Sequence, residues 1–397
     1  MTFGYRLNAR ANFALRRLLR ADRPVADRSN EEFAAEVEKN YRWNFAVNMM
    51  DGAAFWFGLS FISPITILPL FISKLTYSPL PLAIVSAVAL GGWYLPQLFS
   101  APYVEMLSHK KAIIVNLGFF FERLPVWTLP LAALLAVVSL RAALVVFLFA
   151  YTGLAIGAGV VATGWQGLIA RCFPMKKRGR FLRIIFFLGA GTGAIGAIFS
   201  AQLLETLPFP DNFAVIFLIS AVAITLAWVF LSLTREPLRP ATAPRRLQRE
   251  FFAALPGLLR QDRNFNRFLR ARILLALGNM GLGFLTVAAL GRWDVSDRVV
   301  GLYTTLLLVG QTAGNLNAGI MADRFGYKFS LELSAAAGMI GFVISWQAPT
   351  PEWYLSCSRY SGSASVAWWS RASWSYSSSV QPTGSLDTWA WRAQLPT

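Results

Sequence analysis

The chain has 397 residues, of which 55% are apolar and 14% are charged, and its mean hydropathy is +0.48. Soluble domains carry about 45–50% apolar and about 25% charged residues, so this composition predicts a membrane protein. The formal net charge of +17 would suit nucleic-acid binding in a soluble protein. Here the basic residues cluster in short segments between apolar runs, which favours a charged membrane face and no nucleic-acid partner.

A membrane-spanning helix needs about 20 mainly apolar residues. We predict an all-α, polytopic membrane helix bundle with about nine such helices, six before a long polar stretch and three after it. The predicted spans are residues 45–72, 80–103, 112–137, 142–169, 182–205, 213–233, 271–291, 299–321 and 329–347.

The spans divide the chain into five predicted segments, which differ in charge and hydropathy. They are a cytoplasmic basic N-terminal segment at 1–43, a six-helix half at 44–233, a cytoplasmic linker at 234–270, an incomplete second half at 271–350 and a non-membrane tail rich in Ser and Trp at 351–397. The linker begins Thr234-Arg235-Glu236-Pro237 and is rich in arginine. A solvated linker and a helix lying on the anionic inner leaflet both fit that composition.

Lysines and arginines fall mainly on alternate connections between the spans, and cytoplasmic loops are the ones that carry such an excess. This predicts a multi-pass protein of the cell (inner) membrane with its N-terminus in the cytoplasm. The basic connections are the N-terminal segment, 109–111, 171–180, the linker and 324–328, whereas the opposite connections hold only Lys74, Arg141, Arg292 and Arg298.

A short charged segment separates the eighth and ninth predicted spans. It reads G-x-x-x-D-R-x-G-x-K and consists of Gly319, Asp323, Arg324, Gly326 and Lys328 with the intervening residues. Glycines suit a tight hairpin, and charged residues find partners at emerging helix ends. The segment resembles the signature loop of the major facilitator superfamily (MFS) of secondary transporters.

That resemblance implies two six-helix halves, of which this chain shows 6 + 3 of an expected 6 + 6 helices, built as internal repeats. The loop after span two should then echo the loop after span eight. Residues 101–110 align on 319–328 without gaps, and Glu105 and Lys110 fall on Asp323 and Lys328 as a degenerate copy. In the family this loop gates alternating access, and the resemblance implies that role for the five motif residues. A topology anchor is the other interpretation.

Charged side chains inside a bilayer are costly and mark candidate sites. Glu122 and Arg123 are predicted near the midplane, where transporter substrates bind. Glu122 could exchange a proton, because burial disfavours the charged form of a carboxyl group; a purely structural pairing is the alternative. Asp51 and Asn48 share one face of span one, and Asp51 is predicted to lie shallow, within two turns of the cytoplasm.

Five amides stand alone in apolar spans. Such amides commonly form hydrogen bonds between helices, so they are weaker candidates for substrate contact. They are Asn116, Gln166, Asn279, Gln311 and Asn315, of which Gln311 joins the predicted cavity residues.

The character of the sequence changes after Leu355. Residues 356–397 contain 12 serines and five tryptophans and no run long enough to span a membrane. A natural soluble tail is one interpretation. A shift of the reading frame near residue 355 is the other, and it would leave the second half of the bundle incomplete.

These features predict an MFS-type secondary active transporter that moves a small solute by alternating access, with no enzymatic activity, no cofactor and no metal site. Two cysteines and one histidine offer too few ligands for a metal centre. The expected partners are a small-molecule solute, H+ as the coupling ion and the lipid bilayer, with the chain as a monomer. The alternatives are a truncated membrane protein without transport activity and a helical membrane receptor or assembly factor.

Overall fold

The computed structural model describes residues 17–20, 23, 25–240, 253, 256–257, 263–293 and 295–354. Within these residues the chain forms helices and no strand. We number them α1 Asn30–Ser60, α2 Ile67–Leu75, α3 Leu80–Glu105, α4 Lys110–Val137, α5 Leu140–Cys172, α6 Met175–Thr206, α7 Asp211–Ser232, α8 Arg263–Met280, α9 Leu282–Trp293 and α10 Asp297–Gln347. The tail prediction, including the shifted reading frame, lies outside the described residues from 355 onward.

Helix α1 begins well before the first predicted span and ends inside it. Ser29 accepts a hydrogen bond from the backbone N–H of Glu32, and the Glu32 side chain bonds back to Ser29, so a capping box starts the helix at Asn30. Pro64 then falls inside the predicted span 45–72. Because proline lacks an N–H and disfavours helical geometry in the residue before it, the span breaks into α1 and α2.

Six helices of the described residues are long and apolar enough to cross a membrane, counting α8 and α9 as one span from Leu269 to Trp293. Many of their large apolar side chains are exposed, including Phe120, Phe149 and Ile198. Exposed apolar surface on this scale is unfavourable in water and fits a lipid-facing surface. The chain is therefore a multi-pass membrane protein, as its composition predicts.

The first half packs around α1, which contacts both α6 and α7, while α3 and α4 pack against α5. An aromatic cluster fills the core at one end of this half. The ring of Phe71 lies 4.9 Å from that of Phe213 and 5.1 Å from that of Phe147, and all three side chains are fully buried. Helix α10 of the second half packs along α6, which joins the two halves.

Helix α10 replaces the hairpin that the sequence predicts between spans eight and nine. It runs for 51 residues, from Asp297 to Gln347, and its backbone is helical through Gly319–Lys328. The segment contains no proline, and a glycine in a helix interior costs only about 1 kcal/mol relative to alanine. The sequence therefore holds no strong helix-breaking signal there, and the predicted turn was wrong. At about 1.5 Å per residue the helix exceeds the thickness of the hydrocarbon core of about 30 Å.

Candidate functional site

A cavity of about 330 Å³ lies between the two halves of the bundle. Its walls are mostly apolar and aromatic, with a few polar groups from both halves, which is the usual character of small-molecule sites. The aromatic walls are Phe55, Trp56, Trp93, Tyr94 and Tyr151, and the polar lining is Ser60, Ser63, Ser86, Glu122, Asn279, Thr304 and Gln311. Two predicted cavity residues, Glu122 and Gln311, therefore meet here, and Asn279 joins them.

Glu122 is the ionisable carboxylate of the cavity wall among the described residues. It forms an ion pair with Arg123, whose Nη1 donates to its Oε2, and both side chains are almost fully buried. Arg123 itself does not line the cavity, and its Nε has no hydrogen-bond partner. Glu122 therefore faces the cavity, and Arg123, outside the cavity wall, is its counter-charge.

Asp51 lies in the same buried layer as this pair. Its carboxylate is 6% exposed and interacts electrostatically with the Arg123 guanidinium. The sequence placed Asp51 near the cytoplasmic end, in a site separate from Glu122. That placement differs from the structure because α1 starts at Asn30, some 15 residues before the predicted span. Two carboxylates and one guanidinium therefore share a buried site beside the cavity.

The Ser86 hydroxyl adds an unsatisfied polar group to the cavity wall. Its Oγ is buried without a hydrogen-bond partner, and the residue is 6% exposed. A buried hydroxyl that lacks a partner is costly, so a ligand atom that accepts or donates a hydrogen bond would be favoured next to it.

Asn48 lies outside the cavity, contrary to the prediction. Its Nδ2 donates to the Asn44 carbonyl at 2.8 Å and to Thr234 Oγ1 at 3.1 Å. Asn44 in turn exchanges two hydrogen bonds of 2.9 Å with the backbone of Arg235. Asn44 and Asn48 therefore fix the start of the linker to the first half, away from the cavity.

Glu236 was not among the predicted site residues, yet it joins several segments at one end of this half. Its two carboxylate oxygens accept the backbone N–H groups of Lys110 and Lys111 at 2.8 and 3.0 Å. It also pairs with Arg171 at 3.2 Å. A carboxylate at a helix N-terminus is favoured by the helix dipole. The sequence signal was the run Thr234–Pro237 directly after the sixth span.

His109 and the degenerate loop lie beside this carboxylate. Burial lowers the pKa of His109, and Arg20, Arg23 and Arg171 lower it further against the opposing effect of Glu236. Glu105 and Lys110, the two residues that echo the signature loop, interact electrostatically with each other. They are close enough to interact within the first half.

The two halves touch at the end of the bundle that the distribution of basic residues assigns to the outside. Thr66 and Thr304 are joined by a hydroxyl contact of 2.5 Å, and Thr286 donates to the Ile65 carbonyl at 2.7 Å. Ion pairs flank these bonds. They join Lys74 to Asp297 at 2.8 Å and Glu205 to Arg298 at 2.9 Å. The outer end of the cavity is therefore closed.

The predicted gating residues Gly319, Asp323, Arg324, Gly326 and Lys328 all lie in α10, and the positions of their side chains are outside what the structure describes. The same holds for the side chain of Asn315. Asn116 donates to the Leu18 carbonyl, so it holds the N-terminal segment instead of facing the cavity. Gln166 is half-buried on α5 and is not part of the cavity wall.

No protein-family model matches the chain, and no curated protein matches it by sequence. Solved structures do match. The xylose transporter of E. coli, in a partially occluded inward-open conformation, is 15% identical over 83% of this chain and 82% of its own, with a TM-score of 0.55. A D-xylose–proton symporter is 16% identical over 84% of this chain and 82% of its own, with a TM-score of 0.55.

The E. coli fucose–proton symporter is a third match, 16% identical over 82% of both chains, with a TM-score of 0.56. At these identities the likeness concerns the fold. It agrees with the all-α helix bundle of this chain. The chain therefore has the fold of the major facilitator superfamily transporters.

Proposed function

We propose that this protein is a proton-coupled secondary transporter of a small, uncharged polyhydroxyl solute, working by alternating access without chemical conversion. The observation that carries the proposal is the cavity between the two halves, lined by Glu122 and closed at its outer end. A site at the interface of two halves can be exposed to either side by rocking one half against the other.

The buried charges supply the argument for a proton. Among the described residues, the Asp, Glu, Lys and Arg side chains that are buried are Asp51, Glu122 and Arg123. When all are ionised their net charge is −1, which is unfavourable away from water. One bound proton neutralises the group. We propose that Glu122 carries this proton, because its side chain lines the cavity, through which a proton can reach it. Asp51 then stays ionised and balances the charge of Arg123, with which it interacts electrostatically.

The lining supplies the argument for the solute. Aromatic faces pack against the apolar C–H face of a sugar ring, and the hydroxyl and amide groups of Ser86, Asn279 and Gln311 offer hydrogen bonds to its hydroxyls. Among the described lining residues there is no Lys, Arg or His to attract an anion. The xylose transporter and the fucose–proton symporter that share the fold carry sugars, which belong to this class of solute.

Uptake by proteoliposomes tests the proposal. We expect the purified chain to accumulate radiolabelled xylose, fucose or a related polyol when the interior is more alkaline than the exterior. Glu122→Gln should abolish accumulation, whereas Glu31→Gln, at an exposed position, should leave it unchanged. No uptake of any solute by a folded parent chain would favour a membrane protein without transport activity or a receptor.

We further propose that the protein resides in the cell (inner) membrane as a monomer with a cytoplasmic N-terminus, and that Asp323 and Arg324 act in gating. Asp323→Asn should alter the rate of uptake and leave equilibrium solute binding unchanged. The reason is that a gating residue changes the exchange between the two conformations and does not contact the solute. Stopped-flow uptake and binding calorimetry measure these two quantities. Unchanged uptake would reduce the motif to a topology anchor.

A further inference from the structure

The helix that carries Glu122 is not an ordinary α-helix. Over Ile113–Leu117 and again over Phe119–Arg123 it adopts π-helical turns, in which hydrogen bonds join residues five apart. The N–H of Leu124, for example, donates to the carbonyl of Phe119. We propose that Pro125 and Gly157 are positioning residues, which hold this wide turn so that Glu122 points into the cavity. The proposal rests on the transport function proposed above.

Pro125 explains why the turn widens at this place. In an α-helix the carbonyl of Phe121 would accept the N–H of the residue four positions later, which is Pro125. Proline has no N–H, and its ring collides with the carbonyl four residues before it. The Phe121 carbonyl must therefore tilt out of the α-helical ladder, and Glu122, the next residue, is reoriented with it.

Gly157 supplies the space that the tilted carbonyl enters. A Cβ built on Gly157 would lie 1.9 Å from the Phe121 oxygen, 2.3 Å from its carbonyl carbon and 3.0 Å from the nitrogen of Glu122. These are backbone atoms of α4, so no side-chain rotation relieves the collision. At Gly153, on the same helix, an added Cβ meets the Pro125 ring at 3.3 Å. Gly157 is therefore required by the backbone beside Glu122 itself.

Glu122 and Arg123 are paired, yet they have different surroundings. Glu122 faces the cavity, while Arg123 lies against Gly118, where an added Cβ would come within 3.5 Å of its Nη1. Side-chain direction follows from the backbone of its own turn. An α-helical turn at this place would turn the Glu122 side chain relative to the cavity without any change of the residue itself. The same would follow if the Phe121 carbonyl were pushed away from α5.

Cysteine labelling measures this orientation without requiring transport. In a Cys172→Ala, Cys357→Ser background, Glu122→Cys and Arg123→Cys are reacted separately with a small, water-soluble thiol reagent. We expect residue 122 to react faster than residue 123. Adding Gly157→Ala or Pro125→Ala should slow the reaction at residue 122 at least about tenfold, a factor equivalent to about 1.4 kcal/mol. Gly191→Ala, whose Cβ meets no atom within 4 Å, should change nothing.

A folding measurement guards against a variant that simply fails to fold. Pro125→Ala returns an N–H to the Phe121 carbonyl and lets it withdraw from residue 157. The double variant should therefore melt at a higher temperature than Gly157→Ala alone. A double variant that melts no higher, or a folded Gly157→Ala protein with unchanged labelling at residue 122, overturns the proposal. If labelling follows the expectation but the parent moves no solute, the transport proposal fails and the positioning stands.

Discussion

The two ends of the bundle are held by contacts of different kinds. At the outer end the bonds join one half to the other, through Lys74–Asp297, Glu205–Arg298 and the Thr66–Thr304 hydroxyls. At the opposite end, which the basic residues predict to be cytoplasmic, the bonds of Glu236 and Asn44 stay within the first half and its linker. A movement of one half against the other would therefore break the first set of contacts and leave the second set intact.

Two ion pairs, one from each end, also differ in burial. The Arg298–Glu205 side chains are 56% and 49% exposed, whereas those of Arg171 and Glu236 are 14% and 4% exposed. Exposed ion pairs contribute little and break easily, while a buried pair is costly to disrupt. The Arg298–Glu205 pair is therefore the easier of the two to break, and the Arg171–Glu236 pair is the harder.

The largest effect on stability is expected from the loss of the Glu236 carboxylate. Glu236→Ala leaves Arg171 and the N–H groups of Lys110 and Lys111 without their carboxylate. We expect the free energy of unfolding to fall by about 3 kcal/mol or more. Glu38→Ala removes an exposed partner of Lys177 and should cost no more than about 1 kcal/mol. Thermal unfolding in detergent compares the two, and equal losses would contradict the assigned difference between buried and exposed ion pairs.

An intermediate effect is expected where Gly301 of the second half packs against α6 of the first half. A Cβ on Gly301 would lie 2.4 Å from the Cα of Ala201 on α6. Overpacking of this kind costs about 1–3 kcal/mol, and here the cost falls only on the state in which the halves touch. Gly301→Ala should therefore shift the protein toward an outward-open conformation.

Spin labels at Tyr77 and Ser296 would report that shift as a longer distance. Gly291→Ala, where an added Cβ meets no atom within 4 Å, is the matched control. An unchanged distance distribution in Gly301→Ala would show that this contact does not govern the opening.

The smallest effect is expected from the exposed ion pairs. Lys74→Asp places two acids together at the outer end and should disfavour closure by about 1 kcal/mol or less. The exchange Lys74→Asp with Asp297→Lys should restore the parent distance distribution. High salt should reduce the difference, because exposed charges are screened. Failure of the exchanged pair to restore closure would indicate that the ion pair does not contribute.

The sequence predicted the helical bundle, because long apolar runs are a local property. It also singled out Glu122 as a charge within such a run, and that residue lies on the cavity wall, although its role stays a prediction. It did not predict that Asp51 interacts with Arg123, since that depends on where α1 starts and on how the helices of the first half are arranged. It missed Glu236 for the same reason, because its partners are about 65 and 125 residues away. The hairpin after residue 319 failed because neither glycine is a strong helix breaker.

The most direct test of the account follows protons and solute together. In proteoliposomes loaded with a pH-sensitive dye, adding xylose or fucose outside should cause an inward flow of protons with the parent chain. Glu122→Gln leaves Asp51 and Arg123 balanced, so it should still exchange labelled for unlabelled solute but move no proton. Solute uptake by the parent without proton flow, or proton flow that survives Glu122→Gln, would contradict the account.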